Sequence, residues 1–288
     1  MSAAIQALQE QNSADLVARR LAAGAEPELA GMVAAIVRSV HQAVREIRPT
    51  AQQWRALLAF LTDVGHVSDE RRQEWVLLSD MLGITQLVEE INARRPKGTT
   101  PNTSRGLFYR ADAPRLPLGA SISLDGAGEP LAVAGHVRDL DGRPVSGASV
   151  ETWQANAQGL YENQQPDLQP DFNLRGQFRA DDNGDFGYRT VRPAGYKVPD
   201  DGPVGELLGR LGYPLRRPAH LHFLISAPGF ETVTTQVYDR SDPYIDKDPL
   251  LGVKPELLAD FRRTPNERAG VAWSLDFTFV MARARRPS

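Results

Sequence analysis

The stretch Leu131-Ala132-Val133-Ala134-Gly135-His136-Val137-Arg138-Asp139-Leu140-Asp141-Gly142 decides the fold. Residues 131–138 read as a short alternating strand. Asp139 to Gly142 is turn chemistry, because Asp bonds its own backbone and Gly accepts positive φ. A second strand follows over 148–154, and the pattern recurs over 186–191, 219–226, 231–239 and 271–280. Pro and Gly are dense between these runs. Six or more short strands separated by turns predict an antiparallel β-sandwich.

Upstream, residues 95–103 lack periodicity and are rich in breakers, which marks a boundary. The residues before it read as helix. Between 28 and 48, Leu29, Met32, Val33, Ile36, Val37, Val40, Val44 and Ile47 recur at the helical period as one apolar stripe. Pro27 opens that helix, since its missing N–H would be unpaired there anyway. Pro49 ends it. Thr50-Ala51-Gln52-Gln53 reads as a capping box before Trp54, Leu57, Leu58 and Leu61. Ser68, with Asp69 and Glu70 behind it, reads as the N-cap of a helix to about 82, and a short helix runs to about 94. The expected domains are an all-helical 1–103 and a sandwich over 104–288.

The chain has 288 residues, a net charge of −3 and no cysteine. That length allows one large domain or two ordinary ones. Mixed charges make no electrostatic case for nucleic acid. The lack of cysteine excludes disulfides, zinc–thiolate centres, iron–sulfur clusters and thiol nucleophiles. Met1 to Gln6 shows no basic segment leading into an apolar one, and no apolar run approaches the roughly 18 residues of a membrane span. The expectation is a cytoplasmic protein, not a membrane protein. No G-x-G-x-x-G strand-to-helix fingerprint points to a nicotinamide or flavin.

The chemistry gathers in Arg217-Pro218-Ala219-His220-Leu221-His222-Phe223. On a strand, His220 and His222 share one face and make half of a metal site. Alone, the pair fits a metal or a structural role equally well. Zinc would want a third His, a carboxylate or a Cys. His41 and His66 lie in the helical half and His136 in an ordinary strand, where a surface or satisfied core histidine suffices.

The heptamer resembles the signature of the intradiol ring-cleaving dioxygenases. The likeness extends to Val133–Asp139, to Pro144–Ala155, to Gly159-Leu160-Tyr161 and to Arg192–Val204. The order and spacing of Tyr161, Tyr196 and His220-x-His222 match that family. It covers nearly the whole chain, because the hydroxyquinol and catechol branches also carry a helical N-terminal domain.

The resemblance implies non-haem Fe(III) held by Tyr161, Tyr196, His220 and His222. Two phenolates and a hydroxide balance three positive charges, and a catecholate replacing hydroxide and one phenolate keeps that balance. Tyr196 is the ligand that leaves, and it can take a substrate proton. Arg217 stabilises the ketonised ring, and Gln236 matches a glutamine near substrate and arginine. Both atoms of O2 enter between the two hydroxylated carbons, giving a cis,cis-muconate-type diacid, or maleylacetate from hydroxyquinol.

Three features lean to hydroxyquinol over catechol. Leu77-Leu78-Ser79-Asp80 places an acid where a third ring hydroxyl could bond it. Gly106, Leu107 and Phe108 resemble that branch's pocket wall. So do Tyr196-Lys197-Val198-Pro199, with Val198 and Pro199 lining substrate. Leu107 stands where the branch has a proline, which fixes φ as leucine does not. The helical half is expected to join two chains as a homodimer, with a phospholipid at the junction.

Two other readings stand beside this one. Residues 135–148 also resemble a motif of prealbumin-like β-sandwiches, many of which are non-catalytic binding modules. A metal other than iron would use the same ligands.

Overall fold

The computed structural model describes residues 6–23, 26–69, 72–92, 95–264 and 270–284. The chain divides into two compact units, Met1–Asp63 and Val64–Ser288.

In the first unit, α1 (Ser13–Ala22) packs on α2 (Pro27–Ile47), with Leu16, Ala18 and Ala34 buried. Pro27 stands at the predicted helix start. Arg48 caps the other end in the left-handed region at φ 48°, its N–H donating to the Val44 carbonyl. Pro49 then blocks continuation. The capping box of α3 (Ala51–His66) forms as read from sequence. Gln53 N–H donates to Thr50 Oγ1 at 3.2 Å, and Thr50 N–H donates to Gln53 Oε1 at 2.8 Å. Six residues of the α2 stripe, Leu29, Met32, Ile36, Val40, Val44 and Ile47, are exposed, from 37% at Val44 to 74% at Ile47, while Val33 and Val37 are half-buried.

The second unit adds α4 (Glu74–Met81) and α5 (Ile84–Asn92). Ser68 does not cap α4. Its hydroxyl donates back to the Val64 carbonyl at 2.7 Å, closing the end of α3 instead. Glu70, and the predicted extension of α5 to 94, lie outside the described residues.

The sandwich comprises β1 (Pro130–Asp139), β2 (Ser149–Trp153), β3 (Arg175–Arg179), β4 (Asp185–Val191), β5 (Tyr196–Lys197) and β6 (Arg216–Arg217). It continues with β7 (His220–Ser226), β8 (Val233–Asp239), β9 (Leu258–Ala259), β10 (Arg262–Arg263) and β11 (Trp273–Met281). A short helix, α6 (Pro203–Arg210), lies between β5 and β6. One sheet has the order β10-β11-β1-β4, the other β3-β2-β7-β8-β9, and β5 pairs with β6 as a ribbon.

All six predicted strands form. The expected antiparallel pattern holds for most pairs, but β1 runs parallel to β11, from Leu131↔Trp273 to Asp139↔Met281, and β9 runs parallel to β8. The closing strand thus enters the sheet beside the opening one, which needs the whole intervening chain as its crossover. Sequence reading missed β3, whose Arg-Gly-Gln-Phe-Arg offers one large apolar residue, and α6, which holds two glycines.

The core lies between the sheets. Leu131, Val133 and Val137 of β1 meet Leu221, Phe223 and Ile225 of β7 there, with Phe186 and Phe279. Each such side chain contributes roughly 1.5–3 kcal/mol by leaving water. Gly135 is required: a Cβ there would lie 2.1 Å from the Phe186 ring. No helix among the described residues is long and apolar enough to cross a membrane.

Candidate active site

Alternation along β7 sends Leu221, Phe223 and Ile225 into the core, so His220 and His222 face the other side of the five-stranded sheet. Strand register then chooses their neighbours. His222 is paired with Trp153 and Gln236, and His220 with Tyr238. In the small ribbon, Tyr196 is paired with Arg217.

The two imidazoles meet at their Nε2 atoms, 3.1 Å apart. His220 Nδ1 lies 2.7 Å from the Pro218 carbonyl. A carbonyl only accepts, so Nδ1 carries the proton and Nε2 presents its lone pair. Burial lowers the His220 pKa to about 3, with Arg217 adding to the effect. Burial, then His220, holds His222 well below the ordinary range. Both rings are therefore neutral, the form that binds metals. The His222 ring stacks on Trp153 at 4.7 Å and 11°. Its other support is Gly106, at φ +81°, where a Cβ would come within 3.1 Å of Cε1. Both the backbone angle and the close approach call for glycine.

Two tyrosines close over the histidines. The Tyr161 and Tyr196 rings lie 5.7 Å apart and nearly perpendicular, 6.4 Å from His222 and 5.5 Å from His220 respectively. The Tyr161 hydroxyl is buried without a hydrogen-bond partner. Burial, then the nearby Tyr196, pushes this phenol well above its ordinary pKa. An orphaned buried hydroxyl costs about 1–3 kcal/mol unless something satisfies it. Two phenol oxygens, anionic once their protons leave, and two neutral imidazoles form a donor set that suits a ferric ion. That orphaned oxygen and the facing Nε2 atoms fit such an ion.

Arg217 is fully buried beside them. Nη1 donates to Tyr196 Oη at 3.2 Å and lies 3.3 Å from His220 Nε2. Nη2 donates to Gln236 Oε1 at 2.7 Å and to Tyr238 Oη at 2.9 Å. Asp248 accepts from Nε at 2.9 Å and from Nη2 at 3.2 Å, a bidentate pair. Burial opposes the guanidinium charge, but Asp248, Tyr196 and Tyr238 outweigh it and raise the pKa well above the ordinary value. Gln236 is fixed in turn, donating to the Ser104 carbonyl at 3.1 Å and accepting from Tyr238 Oη.

Two other predicted residues touch this cluster, Gly106 at His222 and Phe108 at Tyr161. Phe108 stacks on Tyr161 at 4.4 Å and 22°. Leu107 is half-buried between Gly106 and Phe108. Val198 is buried and Pro199 half-buried, just past Tyr196. Leu77 is buried on α4, one turn before Asp80. Both Asp80 carboxyl oxygens are buried without a hydrogen-bond partner. Burial raises the Asp80 pKa; the nearby Thr85 hydroxyl and then Arg217 oppose the rise, and Asp248 adds to it.

Sequence reasoning missed Tyr238, Trp153 and Asp248. Tyr238 lies two residues after Gln236 on one strand, so parity carried a signal. Asp248 stands in an acidic loop without period, and nothing local marks it.

The family described as Dioxygenase matches residues 117–282, and the one described as Catechol dioxygenase N terminus matches 26–100. The hydroxyquinol 1,2-dioxygenase of a Rhizobium species is 47% identical over 95% of this chain and 96% of its own. The 6-chlorohydroxyquinol 1,2-dioxygenase of Cupriavidus pinatubonensis is 40% identical over 96% of this chain and 99% of its own. The solved structure of hydroxyquinol 1,2-dioxygenase from Pseudomonas putida superposes with a TM-score of 0.88 at 37% identity, over 96% of this chain and 99% of the other. By matched length, by identity and by a two-tyrosine, two-histidine cluster beside a buried arginine, the chain belongs to the intradiol ring-cleaving dioxygenases.

Proposed function

We propose that Tyr161, Tyr196, His220 and His222 hold ferric iron, and that the enzyme cleaves hydroxyquinol to maleylacetate with both atoms of O2 entering the product. The observation that carries this is the convergence of two neutral imidazoles and two buried phenols against Arg217. Ferric iron held by these four residues would draw electron density from the bound diol and make its ring reactive towards dioxygen.

The chain's own groups do the rest. Tyr161, His220 and His222 stay in place, the histidines braced by Trp153, Gly106 and the Pro218 carbonyl. Tyr196 is the group displaced by substrate. Its Oη takes a proton from a substrate hydroxyl, and Arg217 Nη1 stands ready to donate to that oxygen. Arg217 then places a fixed positive charge beside the diolate ring, where negative charge moves onto carbon. Asp248, Gln236 and Tyr238 keep the guanidinium from turning away. Phe108 offers a face for the ring. Asp80 accepts a hydrogen bond from the third hydroxyl, which gives its unpaired carboxylate a partner.

The names of the similar enzymes and the orphaned Asp80 carboxylate favour hydroxyquinol. Steady-state turnover on both diols tests the choice: kcat/KM should be higher for hydroxyquinol, and a clear excess for catechol sinks the Asp80 argument.

The reading includes a cytoplasmic enzyme, a helical region over 1–103 and a catalytic region over 104–288, and a homodimer joined by the helical region. The exposed α2 stripe supports the dimer. A groove of ≈ 490 Å³ lined by Leu8, Val40, Val44 and Trp54 is apolar enough for a phospholipid acyl chain. Mass in solution and mass spectrometry of a solvent extract test these two points; a lipid-free monomer refutes both.

A further inference from the structure

A second buried arginine touches the site. Arg175, the first residue of β3, is 1% exposed, and its Cζ lies 5.7 Å from the centre of the Tyr161 ring. Its Nε donates to Glu162 Oε1 at 2.7 Å, and its Nη1 donates to the Phe108 carbonyl at 2.6 Å. Both anchors adjoin the site rings. Glu162 follows Tyr161 in the chain, and Phe108 stacks on Tyr161. One planar fork therefore ties the backbone of one ring residue to the neighbour of the other. A guanidinium can hold two such directions at once, whereas an ammonium is a point charge on a flexible stem.

The delivery of Arg175 is itself constrained. Phe172 and Leu174 take φ 59° and 61°, a region that side chains seldom adopt. Asn173 between them fixes the bend. It donates to Asp125 at 2.9 Å and to Gln169 at 3.0 Å, and accepts from the Leu124 N–H at 2.8 Å. Arg175 Nη2 and Glu162 Oε2 remain buried without partners. A buried ion pair with orphaned atoms and a strained approach is a poor way to gain stability. Its position beneath the ring stack gives it another use.

We propose that Arg175 is a positioning residue for ring cleavage, holding the Phe108–Tyr161 stack through Glu162 and the Phe108 carbonyl. This rests on the ferric-site reading above. Phe108 is thereby fixed as the wall for the substrate ring, and Tyr161 is fixed in orientation.

The test uses the iron-loaded full chain and compares wild type, R175K and the double variant E162Q/R175M. The double variant removes both charges, and Arg110, which also donates to Glu162 Oε1 at 2.9 Å, keeps its other partner Asp171. Iron per chain, the position of the tyrosinate-to-iron absorption band, and kcat and KM for hydroxyquinol are measured. The double variant should keep its iron, shift the band, and lose on the order of 10²-fold in kcat/KM, as expected for a misplaced ring. R175K keeps the charge without both bonds and should recover only part. An unmoved band with unchanged kcat/KM overturns the proposal. If the double variant does not fold, R175K alone decides by the same two readouts. A wild-type protein that binds no iron or shows no band removes the ferric-site reading, and this proposal with it.

Discussion

On β7, Leu221, Phe223 and Ile225 pack between the sheets, while His220 and His222, one residue out of phase, face Tyr161, Tyr196 and Arg217. The inner face is held by apolar burial, which is non-directional and tolerates exchange among residues of similar volume. The outer face is equally buried, yet it is built from charges, phenols and imidazoles whose value lies in direction. The lesson is that burial alone does not separate scaffold from site. What separates them is the facing Nε2 pair and the orphaned Tyr161 hydroxyl that gathers beside it.

Substitution on each face should therefore fail differently. H222A should abolish iron binding and turnover while leaving the denaturant midpoint of the iron-free protein near wild type. L221A should cost about 2–5 kcal/mol of stability and leave the folded fraction active. Finding that H222A unfolds the protein, or that L221A strips the iron, would break the distinction. Next in size is D248N, which weakens the bidentate hold on Arg217. It should lower kcat by roughly 10- to 100-fold with iron content unchanged. A normal kcat would mean that Gln236 and Tyr238 suffice.

The iron-free protein should also report the outer face through pH. His220 has a folded pKa of about 3 against an ordinary 6.5. Its lowered value means the unfolded chain binds the proton first. Stability is then full above about pH 6.5 and falls as pH drops towards 3, by about 1.4 kcal/mol per unit for each such histidine. Chemical denaturation across that window should show the slope in L221A and a shallower one in H222A. The smallest effect is expected from D80N. It should reduce the hydroxyquinol-to-catechol ratio of kcat/KM by about tenfold, the worth of one hydrogen bond to a charged group.

Much of this was legible in the residues. Strand parity put His220 and His222 on one face, turn chemistry located β1 and β2, and Thr50-Ala51-Gln52-Gln53 announced its own cap. The tetrad's convergence was available only through resemblance, because Tyr161 stands at the extended cap of a three-residue 3-10 helix and Tyr196 on a two-residue strand, neither of which periodicity marks. Ser68 misled because a hydroxyl that can cap the next helix can also close the preceding one. Asp248 and Arg175 were silent for a similar reason. Their meaning comes from partners far away in sequence, Arg217 for one and Phe108 for the other.

The measurement that bears most directly on the central claim is the visible absorption of the purified, iron-loaded chain beside its Y161F variant. The wild type should be red-brown, with a tyrosinate-to-iron band that shifts when hydroxyquinol is added without oxygen, and Y161F should lose intensity and iron. A wild-type chain that carries iron yet stays colourless would contradict the account.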